Sequence, residues 1–206
     1  RRKTERSKDY PRSPRRPEKL MSTGMEHRLI IAGFGGQGIL TTGKLLCTAA
    51  LKEGKEVTYM PAYGTEVRGG TANCHVVISD SRIFSPLVER ADSLMILNQL
   101  SMERFGSRLK EGGLQVLNSS LVEVAKENPD TRNINIPANE RAADLGNVVV
   151  ANVIMLGAYI QATGICQDET VLEALEEALS AKKKHDLLDL NREAYETGKE
   201  LAAVGV

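Results

Sequence analysis

The chain has 206 residues, the size of one domain or of one domain with a tail, and 41% of them are hydrophobic, which is enough for a core. The formal net charge is zero, but basic side chains outnumber acidic ones in residues 1–24, so the rest of the chain is acidic. An acidic folded part argues against nucleic acid as the main partner.

Residues 1–24 are basic, contain several prolines and have almost no aliphatic side chains. This composition cannot bury enough apolar surface to fold, so we expect a disordered tail. It also has no apolar stretch of the secretory type. Two interpretations stay open: an artefact of the start site ahead of Met21 and Met25, or a basic arm that binds an acidic surface. Residues 25–206 are predicted to form a single α/β domain.

The apolar pattern predicts strands and helices in alternation. The strands are expected at 28–33, 56–60, 71–79, 92–97, 114–118 and 133–136. The helices are expected at 37–52, 100–109, 137–145, 148–161, 169–180 and 186–203. We also expect the second strand to stop at Pro61 and Ile83–Phe84 to pair back with a strand. One helix is expected to end at Gly112-Gly113, and a short helix is expected to begin at Ser119-Ser120. The alternation predicts a Rossmann-like, three-layer α/β fold with a mainly parallel sheet and a helical C-terminal part.

The three cysteines, Cys47, Cys74 and Cys166, form no C-x-x-C pair. Their spacing offers no ligand set for zinc or for an iron–sulfur cluster. An odd count without a signal peptide predicts the reducing cytoplasm. The apolar run Val148–Ile160 is shorter than the roughly 20 residues that span a bilayer, so we expect a buried helix and no membrane association.

A glycine-rich turn follows the first predicted strand. Gly33, Gly35 and Gly38 have the G-x-G-x-x-G spacing, and helical periodicity begins directly after them. Glycines allow a tight turn and a close approach of backbone to a ligand, and the start of a helix attracts anions. In this strand–turn–helix context the motif favours a phosphate site over a tight turn that binds nothing.

A dinucleotide site also needs an acidic residue that holds the ribose, about 20 residues after the glycines and at the end of the second strand. Here that strand ends in Tyr59-Met60-Pro61-Ala62, and the first carboxylate after it is Glu66. The sequence therefore disfavours NAD(P) and FAD and favours another phosphate-bearing ligand. Lys44, about 1.7 helical turns past the glycines, is either a phosphate contact or a solvated surface lysine.

The loop 61–70 has a length that often carries function. Its Arg68-Gly69-Gly70 sets a cation beside flexible backbone, which suits an anion site or a tight subunit contact. No catalytic set is readable, because Cys74 and His75 point to opposite faces of a strand and Ser119-Ser120 lacks a glycine elbow. The pattern favours a subunit that binds and assembles while a partner performs the chemistry.

Several stretches together resemble a known family: residues 33–38 with Leu40-Thr41, residues 63–74, and Ser79-Asp80 with Ser85-Pro86. They resemble the gamma subunit of 2-oxoacid:ferredoxin oxidoreductases over about residues 26–203, and look more like its 2-oxoglutarate and branched-chain 2-oxoacid members than its pyruvate members. The resemblance implies a holoenzyme that oxidatively decarboxylates a 2-oxoacid, forms an acyl-CoA and passes two electrons to ferredoxin.

The resemblance also implies where the ligands lie. Thiamine diphosphate, magnesium and iron–sulfur clusters are expected on partner subunits of alpha, beta and ferredoxin-like delta type. Coenzyme A is expected on this chain, which by itself would have no turnover. The residues that the resemblance assigns to coenzyme A are Gly35, Gly36, Gln37, Gly38, Ile39 and Lys44, with Arg68, Gly69 and Gly70 at the rim of the site or at a subunit interface. The competing classes are a free-standing dinucleotide-binding oxidoreductase and a purely structural assembly subunit.

Overall fold

The computed structural model describes residues 24–63, 70–123, 130–181 and 187–204. The prediction of a disordered tail therefore falls outside the described residues, except at Gly24. Most of the loop 61–70 is also outside them, so the predictions for Arg68 and Gly69 have no structural counterpart here.

The predicted strands and helices are present along the described chain, but they alternate only in part, because three strands follow one another after the first helix and four helices come last. The strands are β1 Glu26–Phe34, β2 Glu56–Tyr63, β3 Thr71–Ser79, β4 Ala91–Ile96, β5 Leu109–Asn118 and β6 Arg132–Ile136. The helices are α1 Ile39–Lys52, α2 Gln99–Phe105, α3 Ala138–Asp144, α4 Ala151–Thr163, α5 Asp168–Ala181 and α6 Leu188–Val204. Short 3₁₀ turns occupy Gly106–Arg108 and Val148–Val150.

The strands form a single sheet in the order β2-β3-β1-β4-β5-β6. The pairs β1–β4, β4–β5 and β5–β6 are parallel. Only β3 runs the other way, because it pairs antiparallel with both β1 and β2. The prediction of a mainly parallel sheet is confirmed, with the added feature that the β2–β3 hairpin places β3 directly beside β1.

Side chains on alternate positions of the sheet enter two separate cores. Leu29 and Ile31 face the side that is covered by α1, α4, α5 and α6. Ile30 and Ala32 face the other side, which is covered by α2 and by connecting segments that contribute Val88 and Val122. The carboxyl ends of β1, β4, β5 and β6 meet at one edge of the sheet, which we call the carboxyl edge; β3 begins there.

Four expected details are wrong, each for a local reason. β2 continues through Pro61 to Tyr63, which an edge strand tolerates because one side of it needs no backbone donor. Gly112-Gly113 lies inside β5, where the pairing with β4 jumps from Ala91↔Leu109 to Ser93↔Leu114 and leaves a bulge. Ile83–Phe84 joins no strand, and Ser119-Ser120 forms a turn closed by the Asn118 carbonyl.

His27 on β1 belongs to a buried hydrogen-bond cluster. Its Nε2 lies 2.8 Å from Ser93 Oγ and 2.9 Å from the Tyr159 hydroxyl, and the two hydroxyls are 2.9 Å apart. Ser93 and Tyr159 are fully buried. Burial lowers the pKa of His27 from its ordinary value of 6.5, and the nearby Lys110 adds to the effect while Asp92 opposes it.

The lowered pKa of His27 predicts a loss of stability in weak acid. Below pH 6.5 the unfolded chain takes up a proton at His27 before the folded chain does, so the free energy of unfolding should fall until the pH reaches the lowered pKa. Denaturant titrations of wild type and His27→Gln at about pH 7.5 and about pH 5.5 measure this difference. The wild type should lose more stability than the variant, which cannot titrate there; equal losses would contradict the assignment.

Candidate functional site

The glycine-rich turn connects β1 to α1 at the carboxyl edge. β1 ends at Phe34, and α1 begins at Ile39 with Gly38 as its N-cap. Gly36 has φ +97° and Gly38 has φ +78°, a region of backbone conformation that favours glycine. The chain therefore leaves the strand and enters the helix through a turn that other residues would strain.

Part of the turn's backbone is already hydrogen-bonded, and part is open. Gly35 N–H donates to the Gly70 carbonyl at 2.9 Å, and Gln37 N–H donates to the Phe34 carbonyl at 3.1 Å. Within the described part of the chain, the N–H groups of Gly36, Gly38 and Ile39 have no hydrogen-bond partner. These donors stand at the positive end of the α1 dipole, which suits an anion.

The glycines of the turn serve different purposes. A Cβ at Gly33 would lie 2.6 Å from Ile39 Cδ1, and a Cβ at Gly38 would lie 2.6 Å from the Asn152 side chain. These two positions are needed for packing. A Cβ at Gly36 would meet nothing within 4 Å, so Gly36 borders open space and is where a ligand can come close to the backbone.

Gln37 supports the turn from beneath with its side-chain amide. Its Oε1 accepts from Phe34 N–H at 2.6 Å and from Asn98 Nδ2 at 3.2 Å, and its Nε2 donates to the Leu97 carbonyl at 3.3 Å. Asn98 in turn caps α2, since its Oδ1 accepts from Ser101 N–H at 2.9 Å. Gln37 thus ties the turn to the end of β4, and its amide is directed into the fold.

A second support comes from α4. Asn152 Nδ2 donates to Thr42 Oγ1 at 3.2 Å, and Thr42 Oγ1 donates to the Gly38 carbonyl at 3.1 Å. Asn152 lies within the apolar run Val148–Ile160, which the sequence predicts only as a buried helix, and the sequence assigns no role to Asn98. Neither residue carries a local signal, because each acts across the fold on a distant part of the chain.

Of the residues that the sequence assigns to this site, the structure gathers Gly35, Gly36, Gln37, Gly38 and Gly70 at the turn. The Ile39 side chain is buried in the core at 2% exposure, so only its backbone can face a ligand. Lys44 is exposed on α1, about 7.5 Å along the helix axis from Ile39. Since helical side chains lean toward the N-terminus, Lys44 can reach toward the turn.

The described residues contain no group of three or more His, Cys, Asp or Glu side chains that could hold a metal ion. Cys47, Cys74 and Cys166 are all buried, and burial raises the pKa of each thiol to about 12. Such thiols stay protonated and are poor nucleophiles. In the same part of the chain, no helix is long and apolar enough to cross a membrane.

The fold and the turn define an α/β protein with unpartnered backbone N–H groups at the start of its first helix, among the described residues. Comparison with known proteins shows to which protein family the chain belongs. The family described as pyruvate ferredoxin/flavodoxin oxidoreductase matches residues 28–201. The chain therefore belongs to the pyruvate ferredoxin/flavodoxin oxidoreductase family.

Two relatives differ in how much of their length this chain covers. Ketoisovalerate oxidoreductase subunit VorA of Methanothermobacter marburgensis is 39% identical over 179 residues, which cover 86% of this chain and 37% of that protein. 2-Oxoglutarate synthase subunit KorC of Methanocaldococcus jannaschii is 34% identical over 180 residues, which cover 86% of this chain and 96% of that protein. The chain thus spans little more than a third of the first relative and nearly all of the second.

Solved structures agree with this placement. The gamma subunit of keto/oxoacid ferredoxin oxidoreductase from Geobacter sulfurreducens has a TM-score of 0.74 and 29% identity, covering 86% of this chain and 99% of its own. The 2-oxoglutarate:ferredoxin oxidoreductase of Magnetococcus marinus, solved with 2-oxoglutarate, coenzyme A and succinyl-CoA bound, has a TM-score of 0.79. It is 24% identical and covers 87% of this chain and 31% of its own, so it shows a shared fold. The resemblance to the gamma subunit is confirmed.

Proposed function

We propose that this chain binds coenzyme A at the glycine-rich turn, as the gamma subunit of a 2-oxoacid:ferredoxin oxidoreductase complex. The observation that carries the proposal is the open approach to Gly36, where a Cβ would meet nothing within 4 Å. A phosphate can therefore come close to the backbone at Gly36 without displacing a described side chain.

The charges around the turn suit a polyphosphate. The α1 dipole and the N–H groups of Gly36, Gly38 and Ile39 attract an anion. Lys44 adds a positive charge from the exposed face of α1, in the way that a lysine point charge supports phosphate sites elsewhere. Because Gln37 and Asn98 hold the turn in place, little ordering is needed when the ligand binds.

The rest of the reaction belongs to other subunits in this proposal. The partners are alpha, beta and ferredoxin-like delta-type subunits that carry thiamine diphosphate, magnesium and iron–sulfur clusters, with ferredoxin as acceptor. Thiamine diphosphate supplies the decarboxylation chemistry when it is bound on its own subunit. The described residues of this chain contain no group of three or more His, Cys, Asp or Glu side chains that could hold a metal ion. The names of the relatives, a 2-oxoglutarate synthase and a ketoisovalerate oxidoreductase, support a 2-oxoacid as substrate.

A ligand panel in thermal unfolding tests the proposal against the two competing classes. A ligand at about 100 times its Kd stabilises the folded state by about 2.7 kcal/mol, which raises the Tm of a chain of this size by roughly 5–10 °C. Coenzyme A should have this effect on the chain or on the complex that purifies with it, and NADH and FAD should not. A larger effect of NADH or FAD would favour a dinucleotide enzyme. No effect of any ligand in either preparation would favour a structural subunit.

A further inference from the structure

The strand beside β1 indicates whether the site suits a free or a phosphorylated ribose. In dinucleotide-binding folds, the strand next to β1 ends in an acidic residue that holds the free ribose hydroxyls, whereas an arginine there accommodates a phosphorylated ribose. Here the neighbour of β1 is β3, and the residue paired with Phe34 is Thr71. No acidic residue lies among Thr71–Ser79, so β3 supplies no carboxylate that could bind the hydroxyl groups of a ribose.

An arginine of α2 contacts the start of β3, next to the end of β1. Arg104 Nη1 donates to Thr71 Oγ1 at 3.3 Å. Thr71 follows Gly70, whose carbonyl accepts from Gly35 N–H at 2.9 Å. The guanidinium therefore lies next to the strand segment that is hydrogen-bonded to the glycine turn. Its α2 is fixed to the same turn through Asn98, which donates to Gln37 and caps the helix.

The charge of Arg104 is not neutralised by the described part of the chain. Several described carboxylates form ion pairs with other cations, such as Lys52, Lys55 and Lys199, and no described carboxylate forms an ion pair with Arg104. Arg104 is exposed, so a ligand can reach it. Lys44 likewise has no ion-pair partner among the described residues. It lies on α1, which covers the opposite face of the sheet from α2.

We propose that Arg104 binds the 3′-phosphate of coenzyme A and makes the site specific for the phosphorylated ribose. The inference rests on the proposed coenzyme A function. Coenzyme A has two separate anionic groups, a pyrophosphate and a 3′-phosphate. The glycine turn and Lys44 receive the pyrophosphate, and the planar guanidinium of Arg104 matches the terminal phosphate, which it can contact through two N–H groups.

Dephospho-coenzyme A, which lacks only the 3′-phosphate, makes the inference testable. Titration calorimetry is performed with both ligands on the complex purified through an affinity tag on this chain. Arg104→Gln keeps a side-chain N–H donor but loses the charge. It should weaken coenzyme A binding by about 5- to 30-fold and leave dephospho-coenzyme A binding unchanged. Lys44→Ala should weaken both ligands by similar factors. Arg90→Ala removes an exposed arginine near the start of β4, at the other edge of the sheet, and should affect neither.

The results separate this inference from the function on which it rests. If neither affinity changes in Arg104→Gln, or if both fall by the same factor, Arg104 does not bind the 3′-phosphate and the inference is wrong. Binding of coenzyme A by the wild type would still support the proposed function in that case. If the wild-type complex binds neither ligand, the proposed function fails and the inference fails with it.

Discussion

Replacing Gly198 by alanine is expected to lower the free energy of unfolding by about 2–3 kcal/mol, because α6 and α4 touch through their backbones at this point. A Cβ at Gly198 would lie 1.9 Å from the Ile154 carbonyl oxygen, and one at Gly157 would lie 2.0 Å from the Tyr195 carbonyl oxygen. Backbone atoms cannot be moved aside by a change of rotamer, so the two helices must separate. α4 is buried from Ala151 to Ile160, and its displacement would disturb the core.

Helix propensity alone predicts the opposite sign, which makes the experiment decisive. Alanine in a helix interior is about 1 kcal/mol more favourable than glycine. Denaturant titration should therefore show a net loss for Gly198→Ala, with a Tm roughly 5–10 °C lower. The control pair Glu193→Ala and Glu193→Gly, at an exposed position inside α6, measures the propensity effect by itself. An unchanged or raised stability of Gly198→Ala would contradict the close helix contact.

The sequence predicts the fold class well because the class depends on local signals. Apolar runs mark β1 and β4, the glycine turn marks the start of α1, and the nearly uniform apolar run of α4 marks a central helix. The order of the strands has no such signal, and the insertion of β3 beside β1 follows from the long-range pairing of the β2–β3 hairpin. Gly112-Gly113 shows the same limit, since a glycine pair ends a helix or makes a bulge depending on the neighbouring strand.

The sequence likewise predicts one part of the candidate site and not the other. The glycine spacing locates the turn. The sequence places the residue that would hold a ribose at the end of β2, whereas the strand beside β1 is β3, which also has no acidic residue. The supporting side chains are invisible in the sequence, because Asn98 and Asn152 act on the turn from distant elements. Gln37 was assigned to the ligand by resemblance, whereas its amide in fact makes three hydrogen bonds within the fold. Arg104 likewise becomes notable only through its contact with Thr71.

Replacing Gly36 by aspartate is expected to weaken coenzyme A binding far more than replacing it by asparagine. Both side chains have the same size, and both tolerate a positive φ better than most residues do. Either one would extend into the open space in front of the turn. Only aspartate sets a negative charge against the phosphates, which costs about 1–3 kcal/mol near a protein surface, or roughly 5- to 150-fold in Kd. Gly38 is unsuitable for this comparison because any side chain there would meet Asn152.

The measurement that tests the central claim most directly is the Kd of coenzyme A, determined by titration calorimetry for wild type, Gly36→Asn and Gly36→Asp in the complex purified through this chain. We predict that Gly36→Asp binds at least about 5-fold more weakly than Gly36→Asn, and that added salt reduces the difference through screening. Equal affinities of the two variants at low salt would mean that the phosphates do not lie at the glycine turn, and would contradict the proposed site.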